Sequence, residues 1–255
     1  MTDDLRTDVP HPARVYDYLL GGTNNFPADR AAAEAGMRAN PAGRTPPREN
    51  RAFLGRAVRY LAREAGIRQF LDIGSGIPTS PNVHELAQAE APDARIVYVD
   101  NDPIVLAQSR ALLTGGTEYL QADLRDVGPI MGSVLDLDRP VALLLIAIMH
   151  FVPDGDDPYG IAARLLDALP AGSYLALTHL TGDFDPDAWE AVAAIYRRTG
   201  VHMRVRSRAE IERFFDGLDL VDPGLVVLPD WRPDGDRPRP RDVDVAVYGG
   251  VARKV

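Results

Sequence analysis

The 255 residues suffice for one large domain with an appendage, and 45% hydrophobic against 25% charged residues is a globular balance that rules out wholesale disorder. A formal charge of −9 denies the chain the overall basic surface that sequence-independent nucleic-acid binding needs. The absence of cysteine excludes disulfides, thiolate catalysis and cysteine-held zinc or iron–sulfur sites. The opening MTDDLRTDVPHPARVYDYLL has no apolar signal core, and the longest apolar run, Val141 to Met149, falls far short of the ~20 residues that span a bilayer. A soluble, cytoplasmic protein is expected.

Residues 1–66 read as helices. Val15, Tyr18 and Leu19 share a helical face that Gly21 and Gly22 bring to a stop. A second helical stretch runs from about Ala28 to Ala39, followed by the breaker PAGRTPP. Thr45 as N-cap and Pro46 as first helical residue then open a third segment, with Phe53, Leu54, Ala57, Val58 and Leu61 at helical spacing up to Gly66.

From Arg68 strands alternate with helices. The strand-like runs are QFLDI, RIVYVD, TEYLQAD, VALLLIAIM and SYLALTH. Helical patterns separate them: Val83–Leu86–Ala87, then Val105–Ser109–Leu112 behind an Asp102–Pro103 start, then Ile161–Leu165–Leu166. This grammar predicts a doubly wound, mostly parallel α/β sheet covered on both faces. A helix with Trp189, Val192, Ala193 and Tyr196 follows, then one opened by a Ser207–Glu210 capping box. Two last runs, Gly224–Leu228 and Val243–Val251, have no helix between them, so they should pair antiparallel.

Ligands of such a sheet sit beyond the carboxyl ends of its strands, near the switch point. The first strand ends in Asp72 and a glycine turn, Gly74–Ser75–Gly76, where the missing Cβ atoms permit close approach of a ligand. The dinucleotide fingerprint is incomplete, because Thr79 stands where its third glycine would be. Asp100 ends the second strand, where a carboxylate can accept bonds from ribose hydroxyls. Asp123, followed by Leu124, ends the third and suits an adenine amino group and ring face.

Taken together, ARVYDYLLGGTNNFPADR, ENRAFLGRAVRYLA, FLDIGSGIPTSPNVHELAQ, VYVDNDPIVLAQSRALL and VDPGLVVLPDWRP resemble the S-adenosyl methyltransferase family, a mainly actinobacterial group within the class I S-adenosylmethionine-dependent methyltransferases. The resemblance implies a seven-stranded Rossmann-like sheet ending in an antiparallel hairpin (residues 67–255) beneath an N-terminal helical cap or lid (residues 1–66). It implies S-adenosylmethionine as cofactor and S-adenosylhomocysteine as product. Asp72, Gly74, Ser75 and Gly76 would then form the methionine-side loop, and Asp100 would bind the ribose. Asn101 and Asp102 would flank the adenine, whose pocket Asp123 and Leu124 complete. Ala147 would lie beside the cofactor, and Arg14, Tyr18, Gly22, Asn50 and Arg51 would line the cap.

His150 is the titratable group nearest the end of the fourth strand and the candidate base or acceptor contact; His179, ending the fifth, is a weaker one. Asp154, Asp156 and Asp157 lack the spacing of a calcium loop and read as a solvated turn. His84 and Glu85 are adjacent instead of one helical turn apart, so no metal is expected. The Arg/Pro run Arg232–Arg241 reads as a solvated hairpin loop.

An NAD-dependent oxidoreductase is disfavoured by Pro78, by the missing third glycine and by a chain whose only lysine is Lys254. A non-catalytic cofactor-binding protein is the alternative from another class, favoured by the absence of an obvious catalytic group over Ala147–Phe151. Few aromatics and the acidic balance point to a small-molecule acceptor, such as a natural-product intermediate, and not to nucleic acid or membrane. Oligomeric state is not legible in the sequence.

Overall fold

The computed structural model describes residues 6–109, 115–132, 135–235 and 238–255. Three helices open the chain: α1 (Pro12–Leu20), α2 (Pro27–Ala39) and α3 (Thr45–Arg63). Each has proline in its first turn, where the missing N–H would have no helical partner anyway. Gly21, at φ +91°, ends α1 in the left-handed conformation. The third helix starts one residue earlier than expected, at Thr45 itself, with Arg44 as its cap.

The strands are β1 (Gln69–Ile73), β2 (Arg95–Asp100), β3 (Thr117–Gln121), β4 (Ala142–Ile146) and β5 (Tyr174–Leu180), then the short β6 (Leu218–Leu220) and β7 (Val226–Val227), and β8 (Val247–Lys254). Between them lie α4 (Val83–Glu90), α5 (Pro103–Ser109), α6 (Val127–Met131), α7 (Pro158–Asp167), α8 (Pro186–Arg198), α9 (Arg208–Glu212) and α10 (Asp242–Val245). Leu112, expected to extend α5, lies outside the described residues. The Ser207–Glu210 capping box at α9 and the Asp102 side chain bonded to the Ile104 N–H are both present.

The sheet order is β3-β2-β1-β4-β5-β8-β6. β1 to β5 pair parallel; β8 runs antiparallel between β5 and β6. The order reverses between β1 and β4, which opens a crevice at the carboxyl ends of those strands. β4 and most of β5 are buried along their whole length, the signature of a sheet covered on both faces.

The path has the seven strands expected, but an eighth, β7, pairs with β8 beside it. Two corrections concern this region. The run Gly224–Leu228 contributes only Val226 and Val227, because Leu228–Asp230 turns into a 3-10 helix that seats the fully buried Trp231 against α3. Phe53 meets Trp231 edge-on with ring centroids 5.2 Å apart. Arg56 donates to the Trp231 and Leu228 carbonyls, each at 2.7 Å. The last strand begins at Val247 instead of Val243, because 242–245 form the helical turn α10. Its antiparallel partners within the main path are β5 and β6, the latter with only three residues and no pattern to announce it.

Phe53, Leu54, Ala57, Val58 and Leu61 of α3 belong to the same apolar core as β1, β4 and β5. The expected boundary at 66–67 thus falls between an N-terminal helix and a strand that share one core. The helix α2 packs on α8, so the N-terminal segment embraces the sheet near its switch point.

Candidate functional site

β1 carries Asp72 as its penultimate residue and passes into a turn whose backbone runs through positive φ at Gly74 (+74°) and Gly76 (+67°), conformations that glycine adopts freely. The N–H groups of Gly74 and Ser75 bond to the Val99 carbonyl of β2, and Ser75 Oγ lies 3.2 Å from the Tyr119 hydroxyl of β3. The Asp100 carboxylate, ending β2, accepts from the Gly76 N–H at 2.8 Å and from the Asp102 N–H at 3.0 Å. The ends of β1 and β2 and the middle of β3 are therefore tied to one turn.

A pocket of about 230 Å³ opens there. Asp72, Gly74, Ser75, Gly76, Asp100, Asn101, Asp123, Leu124 and Ala147 all line it, as do Asn50 and Arg51 of α3. Burial pushes the Asp72 carboxyl up to about 7, against the nearby Arg51 charge that favours its ionised form. Burial likewise raises Asp100, partly offset by its two backbone hydrogen bonds. Arg51 also donates to the Thr79 and Pro81 carbonyls, which pins the segment following the glycine turn.

Other expected residues lie elsewhere. Asp102 is spent on capping α5, with its other oxygen 3.1 Å from the His11 Nδ1, and it does not line the pocket. Arg14 is buried beneath α1, bonding the Val9 and Arg6 carbonyls and pairing with Asp29 at 3.3 Å. Gly22 closes the α1 turn through its N–H to the Asp17 carbonyl. Tyr18 reaches Glu34 and lies under the Arg44 guanidinium. Arg14, Tyr18 and Gly22 are thus structural members of the N-terminal helices, and none lines the pocket.

Asp123 lines the pocket with its carboxylate already engaged. Arg125 grips it through Nε at 2.8 Å and Nη2 at 2.6 Å, which holds its pKa down at about 2. Arg125 continues to Asp156 at 3.1 Å. The acidic segment is accordingly more than a solvated turn: Asp154 pairs with Arg204 and Arg206, and Asp157 caps α7. The Arg/Pro loop is likewise ion-paired, Arg239 to Asp230 and Asp242 and Arg241 to Asp244, with residues 236 and 237 outside the described set.

β4 stops at Ile146, three residues short of its apolar run. Ala147 turns to φ +55°, a left-handed conformation that a non-glycine residue adopts at a cost, and Met149–Phe151 form a 3-10 turn. This break carries the His150 side chain away from the larger pocket. It lines instead a second, apolar cavity of about 90 Å³. His179 lines neither cavity. Its Nε2 accepts from Arg206 at 2.8 Å and its Nδ1 donates to the Leu180 carbonyl at 2.7 Å, while burial drives its pKa down to about 3. It is a structural residue.

Tyr16 was not evident as a site residue, because it lies off the Val15–Leu19 face of α1. Its hydroxyl donates to the Pro47 carbonyl at 3.0 Å and accepts from Asn50 at 2.9 Å. Asn50 Oδ1 in turn accepts from the Thr178 hydroxyl at 2.6 Å, and Thr178 accepts from the Ala147 N–H at 2.8 Å. This chain of four hydrogen bonds fixes α1 and α3 to the ends of β4 and β5. Tyr16, Asn50 and Ala147 line both cavities and so form part of the boundary between them.

The whole chain, residues 1–255, matches the S-adenosyl methyltransferase family. The chain belongs to that family. It is similar to a DUF574-family protein of Streptomyces avermitilis, 50% identical, covering 98% of this chain and 100% of that one, with a TM-score of 0.95. A candidate methyltransferase of Thermobifida fusca is 41% identical over 99% of this chain and 97% of its own, with a TM-score of 0.92. In fold alone the chain also matches the N-methyltransferase NodS of Bradyrhizobium japonicum, solved with S-adenosylhomocysteine, at 14% identity over 94% of this chain and 98% of that one and a TM-score of 0.50. No curated protein matches the chain. Among the described residues no helix is long and apolar enough to cross a membrane.

Proposed function

We propose that the larger pocket binds S-adenosylmethionine and that the protein directs its methyl group to a small-molecule acceptor. The observation that carries this reading is the convergence of three strand ends and the Gly74–Gly76 turn on one pocket at the switch point, with Asp100 bonded to Gly76. The residues fit the group. A Cβ at Gly76 would meet only Ala13, at 3.9 Å, so the turn leaves room for a ligand against its backbone. Two buried carboxylates suit the amino and ribose ends, and Ala122, Leu124 and Ile148 supply apolar wall.

S-adenosylmethionine supplies a methyl group already attached to its leaving group, so the residues need chiefly to position the partners and exclude water. In this reading Asp72 holds the methionyl ammonium, and its ionised form is the one that binds. Asp100 accepts from the ribose hydroxyls through lone pairs left over from Gly76 and Asp102. Asn101 and Leu124 border the adenine. Asp123, gripped by Arg125, braces this wall. Pro12, Tyr16, Asn50 and Arg51 close the pocket from the N-terminal helices, which gives residues 1–66 the role of a cap.

Calorimetric titration with S-adenosylmethionine, S-adenosylhomocysteine and NAD tests the reading. The first two should bind and NAD should not; failure of both sulfur nucleosides to bind would overturn it. A non-catalytic binding protein is the second reading, favoured because, among the described residues, the only imidazole lining the larger pocket is that of His11, whose Nδ1 already accepts from the Ala13 N–H. Binding without turnover across an acceptor screen would support it.

A further inference from the structure

The second cavity adjoins the first. Pro12, Tyr16, Asn50, Ala147 and Phe151 line both, so a molecule seated in the smaller one has its end at the wall of the larger. The rest of its lining comes from distant parts of the chain: Leu19 of α1, Met37 of α2, Pro47 of α3, Trp189 and Tyr196 of α8, and Met203. Among its lining residues there is no Asp, Glu, Lys or Arg. A charged group placed there would be buried without a partner, which proteins strongly avoid.

Against this apolar wall stand two polar side chains whose needs the protein leaves unmet. Both His150, 3% exposed, and Trp189, 4% exposed, line the cavity. His150 Nδ1 and Trp189 Nε1 have no hydrogen-bond partner. Buried polar groups are nearly always paired, and leaving one unpaired costs about 1–3 kcal/mol. Trp189 can only donate; a neutral imidazole can donate or accept. Burial and the neighbouring His179 and Arg206 hold the His150 pKa well below its ordinary value, so the ring is uncharged. At about 90 Å³ the space is limited to roughly one ring or a short branched chain.

We infer that this cavity is the acceptor subsite, and that it takes an uncharged, mostly apolar acceptor whose hydroxyl group hydrogen-bonds the His150 imidazole. The inference rests on the cofactor reading above for the word acceptor, but not for the chemistry of what binds. Phosphorylated, carboxylated and cationic compounds are excluded by the uncharged lining. Met37, Trp189 and Met203 set the shape of what enters.

The test uses simple probes of one size: phenol, toluene, benzoate and benzylammonium, titrated by NMR into the protein with and without S-adenosylhomocysteine. Phenol should bind at least tenfold more tightly than either charged probe and severalfold more tightly than toluene. His150→Phe, which keeps a ring but removes its nitrogens, should abolish the preference for phenol over toluene. Met37→Trp, at a half-buried helical position, should fill the cavity and weaken phenol at least tenfold while S-adenosylhomocysteine affinity stays within twofold. Because Met37 lines only the smaller cavity, that retained affinity also reports an intact fold.

Equal binding of the charged probes, or phenol binding unaffected by both substitutions, would overturn the inference. If S-adenosylhomocysteine fails to bind while the phenol pattern holds, the cofactor reading falls and the cavity's chemistry stands. If the nucleoside binds and the phenol pattern is absent, the reverse applies.

Discussion

The Asp100 carboxylate accepts a hydrogen bond from the Gly76 N–H at 2.8 Å across 24 positions of sequence. That bond joins the end of β2 to the turn after β1, and it orients one carboxylate oxygen while leaving further lone pairs toward the pocket. Replacing Asp100 with Ala removes both the orientation of the turn and the proposed ribose acceptor. S-adenosylhomocysteine affinity should fall at least tenfold, ~1.4 kcal/mol or more. Calorimetry checks this, with the far-ultraviolet spectrum confirming the fold. Unchanged affinity would remove Asp100 from the site.

Asp72 gives a pH signature. Its carboxyl titrates near 7 in the folded protein against 3.8 ordinarily, because it is buried. Between these values the folded protein keeps a proton that the unfolded chain has lost. The group therefore opposes folding increasingly as pH rises through that window, and no further above it. Asp72→Asn has no such proton, so it should gain stability relative to the unsubstituted protein from pH 5 to pH 8, by at most about 3 kcal/mol. Urea denaturation at the two pH values measures the difference.

The same carboxyl should couple cofactor binding to protons. An ammonium beside Asp72 favours its ionised form, so S-adenosylhomocysteine binding should release a proton below pH 7. Affinity should then rise by up to about tenfold per pH unit toward 7 and level off above it. Calorimetry in two buffers of different ionisation enthalpy reads the released proton directly. Asp72→Asn should bind weakly at every pH, without the slope.

The two glycines of the turn should respond differently to alanine. Both have positive φ, a strain of roughly 1 kcal/mol for a residue with a Cβ. At Gly74 the new Cβ would also stand 2.7 Å from Ile148 Cδ1 and must displace that side chain. Gly74→Ala should therefore destabilise the protein by about 2–3 kcal/mol. Gly76→Ala meets only Ala13 at 3.9 Å, so its stability loss should stay near 1 kcal/mol while the methyl group obstructs the ligand. A thermal melt paired with a binding isotherm separates the two effects.

Arg206 is 1% exposed and holds the Met149 and Val152 carbonyls, His179 Nε2 and Asp154 together. Arg206→Met would leave these acceptors unpaired, costing about 3 kcal/mol or more. It would also remove the charge that, with burial, keeps the His179 imidazole neutral, so the His179 pKa should rise from about 3 in an NMR titration. An unmoved pKa would show that burial alone sets it.

How much of this was legible beforehand follows from the range of the interactions involved. The sequence by itself determined the alternating architecture, because apolar periodicity and turn residues are local: QFLDI and RIVYVD became β1 and β2, and Asp72, Asp100 and Asp123 stand where parallel strands must end. It also determined the helix starts, since a Pro or a Ser207–Glu210 box acts within one turn. Tertiary structure alone decided which side chains those elements spend on the site. Arg14 and Tyr18 were taken up by packing among α1, α2 and α3, and Asp102 by capping α5, while Tyr16 entered from off the expected face of its helix. The break of β4 at Ala147 had no local signal either, since alanine and isoleucine there suit a continuing strand. That break, held by Thr178 and Asn50 from far along the chain, turned His150 from the larger pocket into the apolar cavity beside it.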